Sequence, residues 1–397
     1  MDIVVKPKVS QQDLLAAGAR ISNLLQQYQE MLLQPDAIKI APSFTTSQVA
    51  ELSGISVANA NYKMTKKELP VGTLTGLNKT RYFTVAETQQ WVRHHKPERL
   101  RPASCYAITI AIANFKGGVA KSTTTMTLAQ GLSLRGHKVL VIDCDAQGSL
   151  TSLHGLLPSI GIDDEQTLRP LFSGETDSVK GAIQKTYWPG IDLIAANLSL
   201  YSAELELPTN QLKGMAGYEF WSVLNKGLDF VREDYDVILI DTAPALSYVT
   251  INALVAANGI IIPMPPDMLT FTSSAGFVDL FNDLLDGFYT KNGKSKEYSF
   301  IDVLLTKVEA DDRNTATIRE WVKSVFGNML MPIEIPKTAV ATNSSSELGT
   351  IYDMKKGSID SRTYKRAHHA YEEFARQVEN QLIAIWATQG EGENNGN

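Results

Sequence analysis

A chain of 397 residues with 44% hydrophobic content is globular and long enough for two or more domains. No apolar run approaches the ~18 residues of a membrane span, no signal-peptide core opens the chain, and Cys105 and Cys144 form neither a metal spacing nor a disulfide framework, so a reducing cytoplasm is expected. The formal net charge of −6 conceals a division: residues 1–104 carry 13 Lys+Arg against 8 Asp+Glu and the remainder 24 against 35, which predicts different work for the two parts.

In the first segment, residues 1–34, apolar residues fall at Leu14, Ile21 and Tyr28 and again at Ala17, Leu24 and Met31. Two positions of a seven-residue repeat predict a helix that pairs with a second copy, against the plainer reading of a helix packed on its own domain. Two prolines in "QPDAIKIAPS" then break it.

The second segment, 44–96, opens with a short helix capped by Thr46 or Ser47, with Val49 and Leu52 facing inward. Gly54 supplies a tight turn, Ile55 is expected to be buried, and Ser56 caps a second helix running toward Glu68. That spacing is a helix-turn-helix. "VGTLTGLNKTRYFT" alternates around Gly76–Asn78 as a β-hairpin, and "VAETQQWVRHH" follows as a helix, which makes the unit a winged variant. Ser56, Asn59, Lys63, Lys66 and Lys67, with Lys79 and Arg81 on the hairpin, are the candidate DNA contacts; the basic ones face phosphates. The competing reading is a small helical domain with a solvated basic face.

"KPERLRPAS" reads as a linker. From 105 to 387, short runs of Val, Ile and Leu ("YAITIAIAN", "KVLVIDCD", "IDLIAAN", "DVILID", "GIIIPM", "FIDVLLTKV") alternate with segments long enough for crossover helices. This predicts a doubly wound α/β domain on a mostly parallel sheet, closed by the helix "SIDSRTYKRAHHAYEEFARQVENQLIAIW". The glycine-containing tail 388–397 is expected to be disordered.

The stretch "AIANFKGGVAKSTTT" sits between the first of these strands and a helix starting at Ser122, the setting of a phosphate-binding loop. It departs from G-x-x-x-x-G-K-[ST], because Phe115 and Ala120 occupy the glycine slots and Gly117 and Gly118 follow an additional lysine, Lys116. The N–H groups of Gly117, Gly118, Val119, Ala120 and Lys121 would form an anion cradle at a helix N-terminus. Lys121 would lie along the β/γ-phosphates, Ser122 would ligate Mg²⁺ and Thr123 would reach the α-phosphate. Ala120 fits here with ordinary backbone angles. "VLVIDCDAQG" and "DVILIDTAP" place Asp143, Asp145 and Asp241 at carboxyl ends of strands, where ligands bind in open α/β sheets. Any one of these features arises by chance; all three in this order do not.

K-G-G-x-x-K-[ST], then D-x-D-x-Q-G and I-D-T-A-P, resembles the deviant Walker loop of the ParA/MinD group of ATPases over residues 107 to about 375. The resemblance implies that Lys116 reaches across a nucleotide-sandwich homodimer to the partner's phosphates. It implies that Asp145 orients the attacking water, that Asp143 and Asp241 manage Mg²⁺, and that the adenine of ATP or ADP lies near Thr306 and the "IPK" containing Pro336. Members usually carry glycine where this chain has Ala120.

Within the group, the nitrogenase iron protein needs bridging cysteines that this chain lacks, and MinD-like members need a basic amphipathic C-terminal helix where this chain ends "ATQGEGENNGN". What remains resembles the larger plasmid or prophage ParA proteins with an appended winged helix-turn-helix. The resemblance implies a weak ATPase stimulated by DNA and by a ParB-type centromere-binding partner, non-specific DNA binding in the ATP form, operator-specific autorepression in the ADP form, and a nucleoid-associated location without membrane attachment. Arg313 matches the family's DNA-contacting arginine, Lys355, Lys356, Arg362, Lys365 and Arg366 are further candidates, and a second arginine of shorter relatives is here Val340. Two other readings stay open: a nucleotide-sensing repressor without a motor role, and a metabolic ATP-dependent ligase.

Overall fold

The structure, a computed structural model, describes residues 9–32, 39–76, 79–213, 218–290, 293, 295–309, 313–337, 349–354 and 360–394, with side chains described except at 28–32, 313–314 and 391–394. Helix α1 (Gln11–Leu32) presents Leu14, Leu15, Ile21 and Leu24 to solvent, each more than half exposed. Most of a helix's stability comes from packing its apolar face, so this one calls for a cover.

A small unit follows: β1 (Phe44–Thr45), α2 (Thr46–Ser53), α3 (Val57–Lys66), β2 (Thr73–Thr75), β3 (Thr80–Phe83) and α4 (Val85–His95). The cap of α2 is Thr45, one residue before the expected Thr46 or Ser47, because Gln48 sits three positions on and closes a capping box with it. Gly54 ends α2 in the left-handed region, and Ser56 caps α3 by accepting from Asn59 N. Ile55 is only partly buried; Ala50, Ala60 and Met64 carry that core instead. The hairpin of β2 and β3 is antiparallel, and β1 adds a third strand through Phe44 and Phe83. Phe83 meets Trp91 of α4 edge to face, and the Trp91 indole donates to Pro70 O at 2.9 Å. Burying each of these rings contributes roughly 2–3 kcal/mol.

The rest of the chain builds an eight-stranded sheet with neighbours in the order β11-β10-β9-β4-β8-β5-β7-β6. The strands are β4 (Ile108–Ile112), β5 (Val139–Cys144), β6 (Gln184–Lys185), β7 (Ile191–Ile194), β8 (Val237–Thr242), β9 (Gly259–Met264), β10 (Phe300–Val308) and β11 (Leu330–Pro336). All pairings are parallel except β6 with β7. β4, β5 and β7–β9 are buried along their whole length, which is why they read as unbroken apolar runs.

Among the described residues its α-helices are α5 (Lys121–Leu134), α6 (Ser149–Leu153), α7 (Arg169–Ser173), α8 (Ala203–Leu212), α9 (Val223–Leu228), α10 (Tyr248–Ala256), α11 (Met268–Phe288), α12 (Arg313–Phe326) and α13 (Ser361–Asn394). α13 continues to Asn394, into the stretch 388–397 expected to be a disordered tail, whose last three residues lie outside the described ones. As far as Gln389 it is tied down: Trp386 is buried and donates to Tyr106 O, and Tyr106 N donates to the Gln389 side chain. The linker is fixed too, with Arg99 paired to Glu379 and Arg101 to Asp236.

The small unit is seated firmly on the sheet domain, and its core is continuous with the core around α5. Two glycines form the seat. A Cβ at Gly190 would lie 2.6 Å from the Gln89 side chain, and one at Gly136 would lie 2.9 Å from Arg93. Bare backbone lets Gln89 donate to Pro189 O at 2.7 Å and Arg93 to Gly136 O at 2.6 Å.

Candidate functional site

The loop between β4 and α5 crosses the carboxyl edge of the sheet where β4 parts β9 from β8, a switch point of strand order. The Asn114 side chain holds the loop's start, donating to Pro263 O and accepting from Lys116 N, both at 2.9 Å. Gly117 and Gly118 are exposed with their backbone open to a ligand. Val119 is buried and anchors the turn. Helix α5 begins one residue earlier than expected, at Lys121.

Ala120 does not take the ordinary angles expected of it. It stands at φ 75°, ψ 29°, in the left-handed region that glycine adopts freely. An alanine there costs about 1 kcal/mol.

Beneath the loop, Asp143 and Asp241 are direct register partners on β5 and β8, both fully buried. Asp143 accepts from Thr151 N at 2.8 Å, Thr151 Oγ1 at 2.7 Å and Asp145 N at 3.1 Å. Burial still pushes its carboxyl up to about 6. Burial, then the neighbouring Asp143 charge, holds Asp241 well above the usual carboxylate range, although Ser122 and Lys121 oppose this. Thr125 Oγ1 stands 3.5 Å from Asp241 Oδ1, and Asp241 Oδ2 has no hydrogen-bond partner. Two buried carboxyls with one orphaned oxygen suit a hydrated divalent cation. Ser122, Asp143 and Asp241 would hold Mg²⁺, which neutralises phosphate charge when bound.

The Lys121 ammonium is buried, donates to Lys116 O at 3.2 Å and lies close enough to Asp241 to feel its charge. Burial lowers its pKa, with Asp241 and Asp145 countering. Asp145 is half-buried; its carboxylate accepts from Gln147 N at 3.0 Å, and its charge acts on both members of the fully buried pair. Ser122 and Thr123 are half-exposed at the mouth.

Lys116 points away from Lys121. Its Nζ lies 3.0 Å from Asp267 Oδ1 and donates to Thr270 Oγ1 at 2.6 Å, at the start of α11. Thr306 is buried and donates to Val119 O at 3.1 Å, so its hydroxyl serves the loop. Pro336 ends β11 beside Val308. A cleft of about 690 Å³ opens along this edge, lined among others by Asp267, Lys307, Trp321 and Lys337. A cavity of about 720 Å³ lies elsewhere, between α2 and α13, where Arg99–Glu379 and Arg135–Glu372 pairs line it.

Several residues of the site were not anticipated. Asn114, Thr151, Asp267, Thr270 and Lys307 are ordinary residue types whose role comes from position alone. Glu204 belongs with them: its carboxylate accepts from Tyr248 N and Val249 N, fixing the helix that follows Asp241.

On the small unit, Ser56, Asn59, Lys66, Lys67 and Lys79 are exposed. Lys63 instead lies 3.6 Å from Glu68 and beside His94, and Arg81 folds back on Val71 O. Arg362, Lys365 and Arg366 are exposed on the first turns of α13. Asn78, Val340, Lys355 and Lys356 lie outside the described residues, as does the Arg313 side chain.

A family model described as an AAA domain matches residues 107–288. SopA of Escherichia coli K12 is 30% identical over 360 residues, covering 88% of this chain and 90% of SopA. The sporulation initiation inhibitor protein Soj of Bacillus subtilis is 30% identical over 237 residues, 60% of this chain and 87% of Soj. A putative replication protein A of Sinorhizobium fredii is 28% identical over 94% of each chain. Among solved structures, a partition protein at 19% identity matches with a TM-score of 0.66 over 92% of this chain and 98% of its own, a likeness of fold. The cobyrinic acid a,c-diamide synthase of Mycobacterium smegmatis, solved with an ATP analogue and magnesium, is 25% identical with a TM-score of 0.51 over 68% of this chain and 93% of its own. About a third of this chain therefore has no counterpart in that enzyme.

Proposed function

The chain belongs to the ParA-type partition ATPases, and from that premise we propose that it segregates plasmid DNA as a nucleotide-driven homodimer. It is an ATPase whose nucleotides are ATP and ADP with Mg²⁺. Lys121 would neutralise the β/γ-phosphates, Ser122, Asp143 and Asp241 would hold the metal, and Asp145 would orient water. A loose phosphoryl-transfer transition state asks for positioning more than for a strong base, which is the role given to Asp145. Lys116, held at the start of α11 within its own chain, would leave Asp267 for the phosphates of a second copy, and the solvent-facing leucines of α1 would pair the same two copies.

In the ATP form the dimer would bind bulk DNA through Arg313, Lys355, Lys356, Arg362, Lys365 and Arg366, and a ParB-type partner would stimulate weak hydrolysis. In the ADP form the α2–α3 unit with its hairpin would act as a winged helix-turn-helix, placing Ser56, Asn59, Lys63, Lys66, Lys67, Lys79 and Arg81 on operator half-sites. The location would be cytoplasmic and nucleoid-associated. Among the described residues no helix is long and apolar enough to cross a membrane.

One observation carries this reading: a buried Lys121–Asp143–Asp241 centre and a basic helical unit share one chain and one continuous core. The test is ATP hydrolysis with and without plain DNA, beside operator footprinting in ADP and in ATP. Turnover raised by DNA, with a footprint in ADP, supports the proposal; DNA-insensitive turnover contradicts it. The strained Ala120 favours a second reading, a nucleotide-sensing repressor with no motor role, in which turnover stays negligible with DNA and partner both present.

A further inference from the structure

β10 ends irregularly. Its pairing with β11 shifts register between Leu305 and Val308, and Lys307 sits at φ 54°, in the left-handed region. Along a regular strand successive side chains point to opposite faces, so Thr306 and Lys307 would not reach the same neighbour. The bulge turns both onto the phosphate loop. Thr306 Oγ1 donates to Val119 O at 3.1 Å, and Lys307 Nζ donates to Gly118 O at 2.6 Å.

Those two carbonyls lie where the loop bends hardest. Gly118 stands at φ 73° and Ala120 at φ 75°, on either side of the buried Val119. For the loop's N–H groups to face an anion, its carbonyls must turn outward, and outward carbonyls need donors of their own. Thr306 and Lys307 supply them at the two peptides that precede the strained alanine. A glycine at 120 would hold this shape unaided; an alanine resists it.

We propose that Lys307 is a positioning residue of the nucleotide site, holding Gly118–Val119–Ala120 in the phosphate-binding conformation and offsetting the alanine at position 120. The proposal rests on the reading of this loop as the ATP and ADP site. It predicts an energetic coupling between positions 307 and 120.

The experiment is a double-mutant cycle on the full chain, read by the affinity for a fluorescent ADP with Mg²⁺. Lys307→Met is expected to weaken binding about tenfold, the loss of one charge-assisted hydrogen bond. Lys307→Arg should stay within about twofold of the parent, and KM for ATP should rise more than kcat falls. In an Ala120→Gly background the cost of Lys307→Met should shrink to about threefold or less. Undiminished affinity in Lys307→Met overturns the proposal, as does an equal loss in both backgrounds. A loss that Arg does not restore, with a lowered melting midpoint, means a structural role only and overturns it too. Lys121→Ala separates the layers: if it keeps ADP, the loop is not the nucleotide site; if it loses ADP while Lys307→Met does not, only this inference falls.

Discussion

Lys116 and Asp267 form an ion pair at 3.0 Å across the mouth of the site, with Thr270 completing the seat. The pair is partly exposed, 29% on the lysine and 47% on the aspartate, so solvent screens it and its worth is below about 1 kcal/mol. A contact that weak restrains the lysine without trapping it. Asp267→Asn should therefore lower the concentration at which ATP-loaded chains dimerise, by at most about fivefold. Sedimentation with a non-hydrolysable ATP analogue checks this; unchanged or weaker association would mean that the pair does not restrain dimerisation.

Asp241 is buried against Asp143 with an oxygen left over. Asp241→Asn should relieve repulsion in the ligand-free protein and raise its melting midpoint by about 2–4 °C. The same change should erase the further rise given by Mg²⁺ and ADP together. A variant that keeps the Mg²⁺–ADP rise would show that the metal is held elsewhere.

The two DNA modes should separate by mutation. Lys121→Ala is expected to remove nucleotide-dependent DNA binding while sparing the α2–α3 unit, whose core it does not touch. Lys67→Ala, at the exposed end of α3, should weaken operator binding and lower its salt slope by about 1, with ATP hydrolysis intact. Hydrolysis lost in Lys67→Ala would break the two-module picture.

His154 gives the fold a pH dependence. Both ring nitrogens are buried without partners, and burial, with the Lys39 charge second, pushes the imidazole down to about 3. The unfolded chain takes up that proton near 6.5 and the folded chain does not. Stability is therefore full above pH 6.5 and is lost as pH falls toward 3, by about 2 kcal/mol at pH 5. Urea midpoints of the parent at pH 7.5 and 5 should differ more than those of His154→Phe; equal differences would contradict the assignment.

Much of this was legible in the chain, for identifiable reasons. β4, β5 and β7–β10 announce themselves because buried parallel strands need Val, Ile and Leu on both faces. β11 does not, since an edge strand tolerates Pro332 and Glu334 and breaks the run. The deviant loop and its aspartates could be read from spacing, whereas the left-handed Ala120 and the bulge at Lys307 could not, because neither residue is the glycine that marks such a backbone. The persistence of α13 past Trp386 depends on contacts with Cys105 and Tyr106, 281 and 283 positions away along the chain from the groups they bond.

The central claim is that fuel consumption and pairing share one site, completed by a second copy's ammonium group. Lys116→Gln tests it most directly, by measuring ATP turnover and sedimentation on the same sample. The account predicts that DNA-stimulated turnover and ATP-dependent dimers disappear together, while ADP still binds through Lys121. Parental turnover and parental dimerisation in Lys116→Gln would contradict it.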